Sequence, residues 1–129
     1  MVEGIEAFYQ QIAESMIEAL PEKWSSAVFE AMFFPDGSTY EAEFTRKSDG
    51  KVRSFLPKDG GDRAFRQLRK KFKDAGKPLW GKARFDLRPD GTFNMKWGYE
   101  DCDEEGYLKF NEEAEFQRQE ARSVRVTQN

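Results

Sequence analysis

The alternation of Ala83, Phe85 and Leu87, resumed after Arg88, Pro89, Asp90 and Gly91 by Phe93, Met95, Trp97 and Tyr99, constrains this chain more than any other feature. Strand side chains repeat every second residue on one face, and Pro-Asp-Gly supplies a turn, so the stretch predicts a β-hairpin with one dry and one wet face. The same period runs earlier. Phe29, Ala31 and Phe33 alternate with Val28, Glu30, Met32 and Phe34, residues 35–38 make a turn, and Tyr40, Ala42 and Phe44 return opposite Glu41, Glu43 and Thr45. After a turn at Ser48, Asp49 and Gly50, residues 52–56 supply a short further strand that Pro57 stops.

Three segments have helical spacing instead. Ile5, Phe8, Tyr9, Ile12, Met16, Ala19 and Leu20 form a stripe that Pro21 ends. Asp62 is placed to cap a helix in which Ala64, Phe65, Leu68, Phe72 and Ala75 share a face, Arg63, Arg66, Arg69, Lys70, Lys71 and Lys73 cover the rest, and Gly76 and Pro78 close the end. A third helix, roughly 111–122, has only Ala114, Phe116 and Ala121 to bury. The expected fold is therefore α+β. It is a single domain over residues 1–129, with an antiparallel five-stranded sheet and N-terminal, central and C-terminal helices packed largely on one face.

Composition excludes much chemistry. The 129 residues contain no histidine and one cysteine, Cys102, which removes His-dependent triads, most zinc sites and any internal disulfide. A lone thiol, and an opening helix carrying Glu3, Glu6, Glu14 and Glu18 in place of a cationic leader, predict a reducing cytoplasm. No apolar run approaches the roughly 20 residues a spanning helix needs, so no membrane partner is expected. Asp101 and Asp103 have no apolar surroundings in sequence to raise one carboxyl, and neighbouring acids disfavour a thiolate at Cys102, so no enzyme is expected.

The net charge of −3 conceals segregation. Residues 1–45 hold nine acids and one base, 46–88 fifteen bases and five acids, and 89–129 ten acids and five bases. Three surfaces follow. Asp101, Asp103, Glu105, Gly106 and Glu112 fit positions 1, 3, 5, 6 and 12 of a calcium loop, which makes a calcium-binding domain at 101–112 one alternative; Glu at position 5, Lys at position 9 and an entering segment that alternates like a strand count against it, and no metal is expected. The basic helix, through Arg63, Arg66, Arg69, Lys70 and Lys73, is the footprint of an alternative nucleic-acid-binding module. Its aromatics, however, have the spacing of a core stripe. The third surface joins Trp97 and Tyr99 to Asp101, Asp103, Glu104 and Glu105, aromatic anchors beside an anionic strip of the kind a cationic protein groove would accept.

The helix over residues 5–20, followed at once by Pro21, Glu22, Lys23 and Trp24, and the stretch FDLRPDGTFNMKWGYED over residues 85–101, resemble the YezG-like antitoxin and immunity proteins. That family includes bacterial proteins that neutralise toxins delivered between cells, among them nuclease toxins of contact-dependent growth inhibition systems. The resemblance implies a small soluble cytoplasmic protein, without cofactor, that binds one cognate toxin domain. It supplies no catalytic residues. Trp97, Tyr99, Asp101, Asp103, Glu104 and Glu105 are chosen as the toxin-binding residues on charge alone, with the first helix and the Glu41 and Glu43 strand face as the competing acidic surface. A monomer is expected.

Overall fold

The computed structural model describes residues 4–109. Its elements run α1 (Ile5–Ile17), β1 (Trp24–Phe34), β2 (Gly37–Arg46), β3 (Val52–Ser54), α2 (Gly61–Asp74), β4 (Lys82–Leu87) and β5 (Phe93–Gly98). The strands form one sheet in the order β3-β2-β1-β4-β5, with every neighbouring pair antiparallel.

Register follows from the alternation. Ala27, Phe29, Ala31 and Phe33 on β1, Ala42 and Phe44 on β2, and Ala83, Phe85 and Leu87 on β4 are all buried in one hydrophobic cluster. Small and large side chains alternate along each strand, so rings descending from the helices can interdigitate with those rising from the sheet. Each fully buried ring contributes about 1.5–3 kcal/mol through removal of apolar surface from water. Phe65 meets Phe29 edge-on at 5.0 Å, and Tyr9 from α1 meets Phe93 at 5.2 Å, which places both helices on the same sheet face.

Glycine decides how closely those helices approach. A Cβ on Gly61, the first residue of α2, would lie 2.7 Å from Phe29 Cε2 and would also strike the Ser15 side chain on α1. The other end of α2 closes on Gly76 at φ 68°, with Lys77 N–H donating to Phe72 O and Gly76 N–H to Lys73 O, both at 3.0 Å. This is the left-handed cap that the Gly76 position predicts.

The structure corrects several expectations. The trio of N-terminal, central and C-terminal helices is not present: the described residues contain two, α1 and α2, beside the five-stranded antiparallel sheet. Those two helices, with the fully buried Trp80, cover the apolar face of the sheet. The segment expected to supply the third, 111–122, lies outside the described residues. α1 stops at Ile17, beyond which Ala19 N–H takes the tighter i→i−3 bond to Met16 O and shares that acceptor with Leu20 N–H. Asp62 is not a cap. It sits inside the first turn of α2, bonded to Arg66 at 3.3 Å, while Gly60 at φ 107° precedes the helix. The first hairpin turn is tighter than read, since Phe34 already pairs with Gly37. β3 ends at Ser54, where the chain leaves the sheet edge towards α2.

Candidate interaction surface

β5 carries the first of the expected site residues inward. Trp97 lies on the helix side of the sheet, its ring 4.8 Å from Trp80 and 5.1 Å from Phe72. Half-buried and packed on both, it belongs to the core margin. Tyr99, one residue beyond the strand, is 47% exposed. The two aromatics are thus divided between packing and surface.

Past Tyr99 the chain forms a compact hairpin-like loop. Cys102 bridges to Leu108, Asp103 N–H donates to Tyr107 O at 2.8 Å, and Lys109 N–H to Asp101 O at 2.9 Å. Asp103 folds its carboxylate back into this loop, where Oδ1 accepts from Glu105 N–H at 2.9 Å and Tyr107 N–H at 3.0 Å. Leu108 N–H donates to Phe33 O at 2.8 Å, tying the loop to the end of β1. Gly106 is buried at φ 81°, and a Cβ there would stand 2.8 Å from Leu79 O. No other residue type adopts both that backbone conformation and that approach without strain.

Arg69 fastens the loop from below. It is only 8% exposed, and its Nε donates to Trp80 O at 3.1 Å while Nη2 donates to Gly106 O at 2.7 Å and Glu105 O at 3.4 Å. The guanidinium also lies 4.3 Å from the Tyr107 ring centre and 5.2 Å from that of Phe33. Stacking and carbonyl bonds replace the water lost on burying this cation. Sequence reasoning assigned Arg69 to the solvent face, and this is corrected: position 69 follows Phe65 by four residues and precedes Phe72 by three, so it belongs to the buried stripe. That spacing was the available signal.

The outcome is a fixed rim on which Tyr99, Glu100, Asp101, Glu104 and Glu105 are exposed, with Asp103 half-buried and engaged beneath them. The Cys102 thiol faces the Glu100 and Gly98 carbonyls at 3.6 and 3.9 Å. For the calcium reading, no group of three or more His, Cys, Asp or Glu able to hold a metal occurs among the described residues. Glu112 lies outside them.

The cations proposed for nucleic acid are dispersed in role. Arg69 is internal, Arg66 is bonded to Asp62 and to Tyr40 OH, both at 3.3 Å, and Lys70 is paired with Asp74 at 2.9 Å. A cleft of about 520 Å³ between α2 and the β1–β2 turn is lined by Arg66, Lys70, Lys73, Asp74, Ser38 and Tyr107. On the helix-free sheet face, Glu41 and Glu43, which with the first helix make up the competing acidic surface, stand beside Glu30, itself paired with Lys82 at 3.5 Å. Among the described residues no helix is long and apolar enough to cross a membrane.

The family model described as immunity protein YezG-like matches residues 58–123. The match takes in α2, β4, β5 and the acidic loop, and leaves the α1 segment outside it. No curated protein matches the chain.

Proposed function

The chain belongs to the YezG-like immunity protein family, and from that premise we propose that it binds and neutralises a cognate bacterial toxin domain, a nuclease, by laying the carboxylates of residues 99–105 over that domain's cationic active site. One observation carries the choice of surface. Arg69, Asp103 and Gly106 hold the loop's backbone from inside, so Tyr99, Asp101, Glu104 and Glu105 are displayed on a preformed support. A backbone already held in place has less freedom to lose on binding, which leaves more of the contact energy as affinity.

Trp97 serves this surface from beneath by keeping β5 against Trp80, and Tyr99 provides its exposed ring. The carboxylates attract lysine and arginine of the toxin, accelerating encounter and excluding partners of the wrong sign. A nuclease must bind a phosphate backbone, so its active cleft offers the complementary charge. In this reading the protein is a monomer in the cytoplasm, protects against a toxin delivered between cells as in contact-dependent growth inhibition, and acts stoichiometrically, without catalysis of its own.

The test is direct. Purified chain is titrated into a nuclease toxin domain whose gene is found beside that of this chain, while nucleic-acid cleavage is followed. Cleavage should fall to zero near one equivalent, with a 1:1 complex on gel filtration. Undiminished cleavage at tenfold excess of the chain would contradict the proposal.

A further inference from the structure

Four cations of α2 share one cleft, and they are unequally engaged. The cleft, of about 520 Å³ between α2 and the β1–β2 turn, is lined by Arg66, Arg69, Lys70 and Lys73, with Phe34 and Tyr107 among its apolar walls. Arg66 is tied to Asp62, and Lys70 to Asp74. Lys73 is exposed, and among the described residues its Nζ has no hydrogen bond or ion pair. Arg69 is incompletely satisfied as well. Among the described residues its bonds run from Nε and Nη2 to the carbonyls of Trp80, Glu105 and Gly106, which leaves Nη1 without an acceptor and the charge without a counterion. The side chain is more than nine-tenths buried, so water screens that charge poorly and an anion brought to it is strongly attracted.

Lys73 lies one turn beyond Arg69 on the same helix face, so a single anion in the cleft can take Nη1 from one and Nζ from the other. Asp74 is the one carboxylate in the described lining. Lys70 already holds it, so the charges of Arg69 and Lys73 stand uncompensated there. A carboxylate matches this arrangement, since it carries one charge and two oxygens, one for each cation. A phosphate dianion fits less well, because the cleft follows the C-terminal half of α2, where the negative end of the helix dipole opposes each added charge. The cleft is also continuous with the acidic rim. Tyr107 lines it, and Arg69 reaches from it to the carbonyls of Glu105 and Gly106. A protein seated on the rim therefore meets the cleft as well.

We infer that this cleft receives an aspartate or glutamate side chain of the toxin, held between Arg69 Nη1 and Lys73 Nζ, with its methylene stem against Phe34 and Tyr107. This rests on the toxin-binding reading above and deepens it. The partner must carry an acid on the flank of its cationic groove, so that rim and cleft together select it by two charges of opposite sign in a fixed order. A cationic protein that lacks such an acid is attracted by the rim but leaves Arg69 and Lys73 facing each other without an anion, and it is bound less tightly.

The experiment measures the affinity of the full chain, as parent, Lys73→Glu and Lys71→Glu, for a catalytically disabled nuclease toxin domain whose gene is found beside that of this chain. Both lysines are exposed on α2 and both substitutions change the net charge equally, but Lys71 is not part of the cleft lining. The sign of the effect discriminates. Were the rim alone to meet a cationic toxin, a more acidic chain would bind as tightly as the parent or more tightly. The inference predicts binding at least about tenfold weaker for Lys73→Glu, with Lys71→Glu at or above the parent's affinity. It also predicts one toxin Asp or Glu whose change to Lys weakens binding to the parent and restores binding to Lys73→Glu. Lys73→Glu binding as tightly as the parent, an equal loss in both variants, or a loss that no such exchange restores overturns this inference while the toxin-binding reading stands. Inorganic phosphate bound by the parent and not by Lys73→Glu, with toxin affinity unchanged, assigns the cleft to free phosphate and also overturns it. A parent dimer that Lys73→Glu dissociates, again with toxin affinity unchanged, assigns it to a second copy and does the same. Absence of any complex overturns the toxin-binding reading, and this inference with it.

Discussion

Arg69 and Gly106 are joined by a 2.7 Å hydrogen bond from Nη2 to the glycine carbonyl, across thirty-seven residues of sequence. The bond fixes the acidic loop to the middle of α2, and the same guanidinium reaches Trp80 O at the start of the second hairpin. Helix, hairpin and loop therefore share one internal cation.

Replacing that cation should be costly. Arg69→Met leaves the Trp80 and Gly106 carbonyls without their donor, and charge-assisted bonds of this kind are worth about 1.5–3 kcal/mol each. A loss of at least about 3 kcal/mol is expected in denaturant unfolding, with Arg69→Lys intermediate because one ammonium cannot reproduce the fork. A loss below about 1 kcal/mol would show that the arrangement contributes little.

Gly106→Ala tests the loop from its other side. The left-handed φ of 81° and the approach to Leu79 O together oppose any Cβ. The variant should lose about 2 kcal/mol or more, and limited proteolysis should cut first within residues 99–109. Unchanged protease resistance would contradict the packing described.

The two aromatics of the site should separate cleanly. Trp97→Ala removes a ring packed at a tilt against Trp80 and Phe72 and should cost about 2–4 kcal/mol of stability. Tyr99→Ala should change stability by less than about 0.5 kcal/mol yet weaken toxin binding by more than about 1 kcal/mol. Calorimetry on both variants, for unfolding and for binding, reads the two effects independently.

Stability should be flat near neutrality and fall in acid. No histidine is present to titrate between pH 5 and 8. Asp90 is held below the usual carboxylate range by the hydroxyl and then the N–H of Thr92, and Asp49 first by the N–H of Lys51. At Asp62 burial pushes upward, but the N–H of Arg63 and the guanidinium of Arg66 outweigh it and leave the carboxyl lowered. A carboxyl with a depressed folded pKa stabilises the fold above its unfolded value, about 4, and that stability disappears as pH falls through the folded value. Tm measured from pH 7 to 3 should hold to about pH 5 and then drop, with a shallower drop for Asp62→Asn/Asp90→Asn. A flat profile down to pH 3 would count against these bonds.

The strands and both helices were legible because their apolar residues keep one period each. Ala27 to Phe33 and Ala83 to Leu87 face the core as alternation requires. What escaped were groups whose chemistry contradicts their position. Arg69 occupies a core position on its helix, but its charge argued for solvent, and only the carbonyls of Trp80, Glu105 and Gly106, distant in sequence, make its burial tolerable. Trp80, fully buried between α2 and β4, lies in no periodic stretch. The sequence places Asp103 among the carboxylates for external cations but does not reveal that its Oδ1 also accepts the N–H groups of Glu105 and Tyr107 and closes its own loop. The acidic rim was visible as composition, but its rigidity was not, because rigidity comes from long-range contacts that no local pattern encodes.

The central claim is that the exposed carboxylates of the loop steer and hold a cationic toxin. It is tested most directly by the association rate of the chain with the toxin domain across a range of salt concentrations, for the parent and for Asp101→Lys/Glu104→Lys/Glu105→Lys. Asp103 is left in place because it closes the loop. The account predicts association at least about tenfold slower for the variant at low salt, with the two proteins converging as salt rises. Identical rates and identical salt dependence would contradict it.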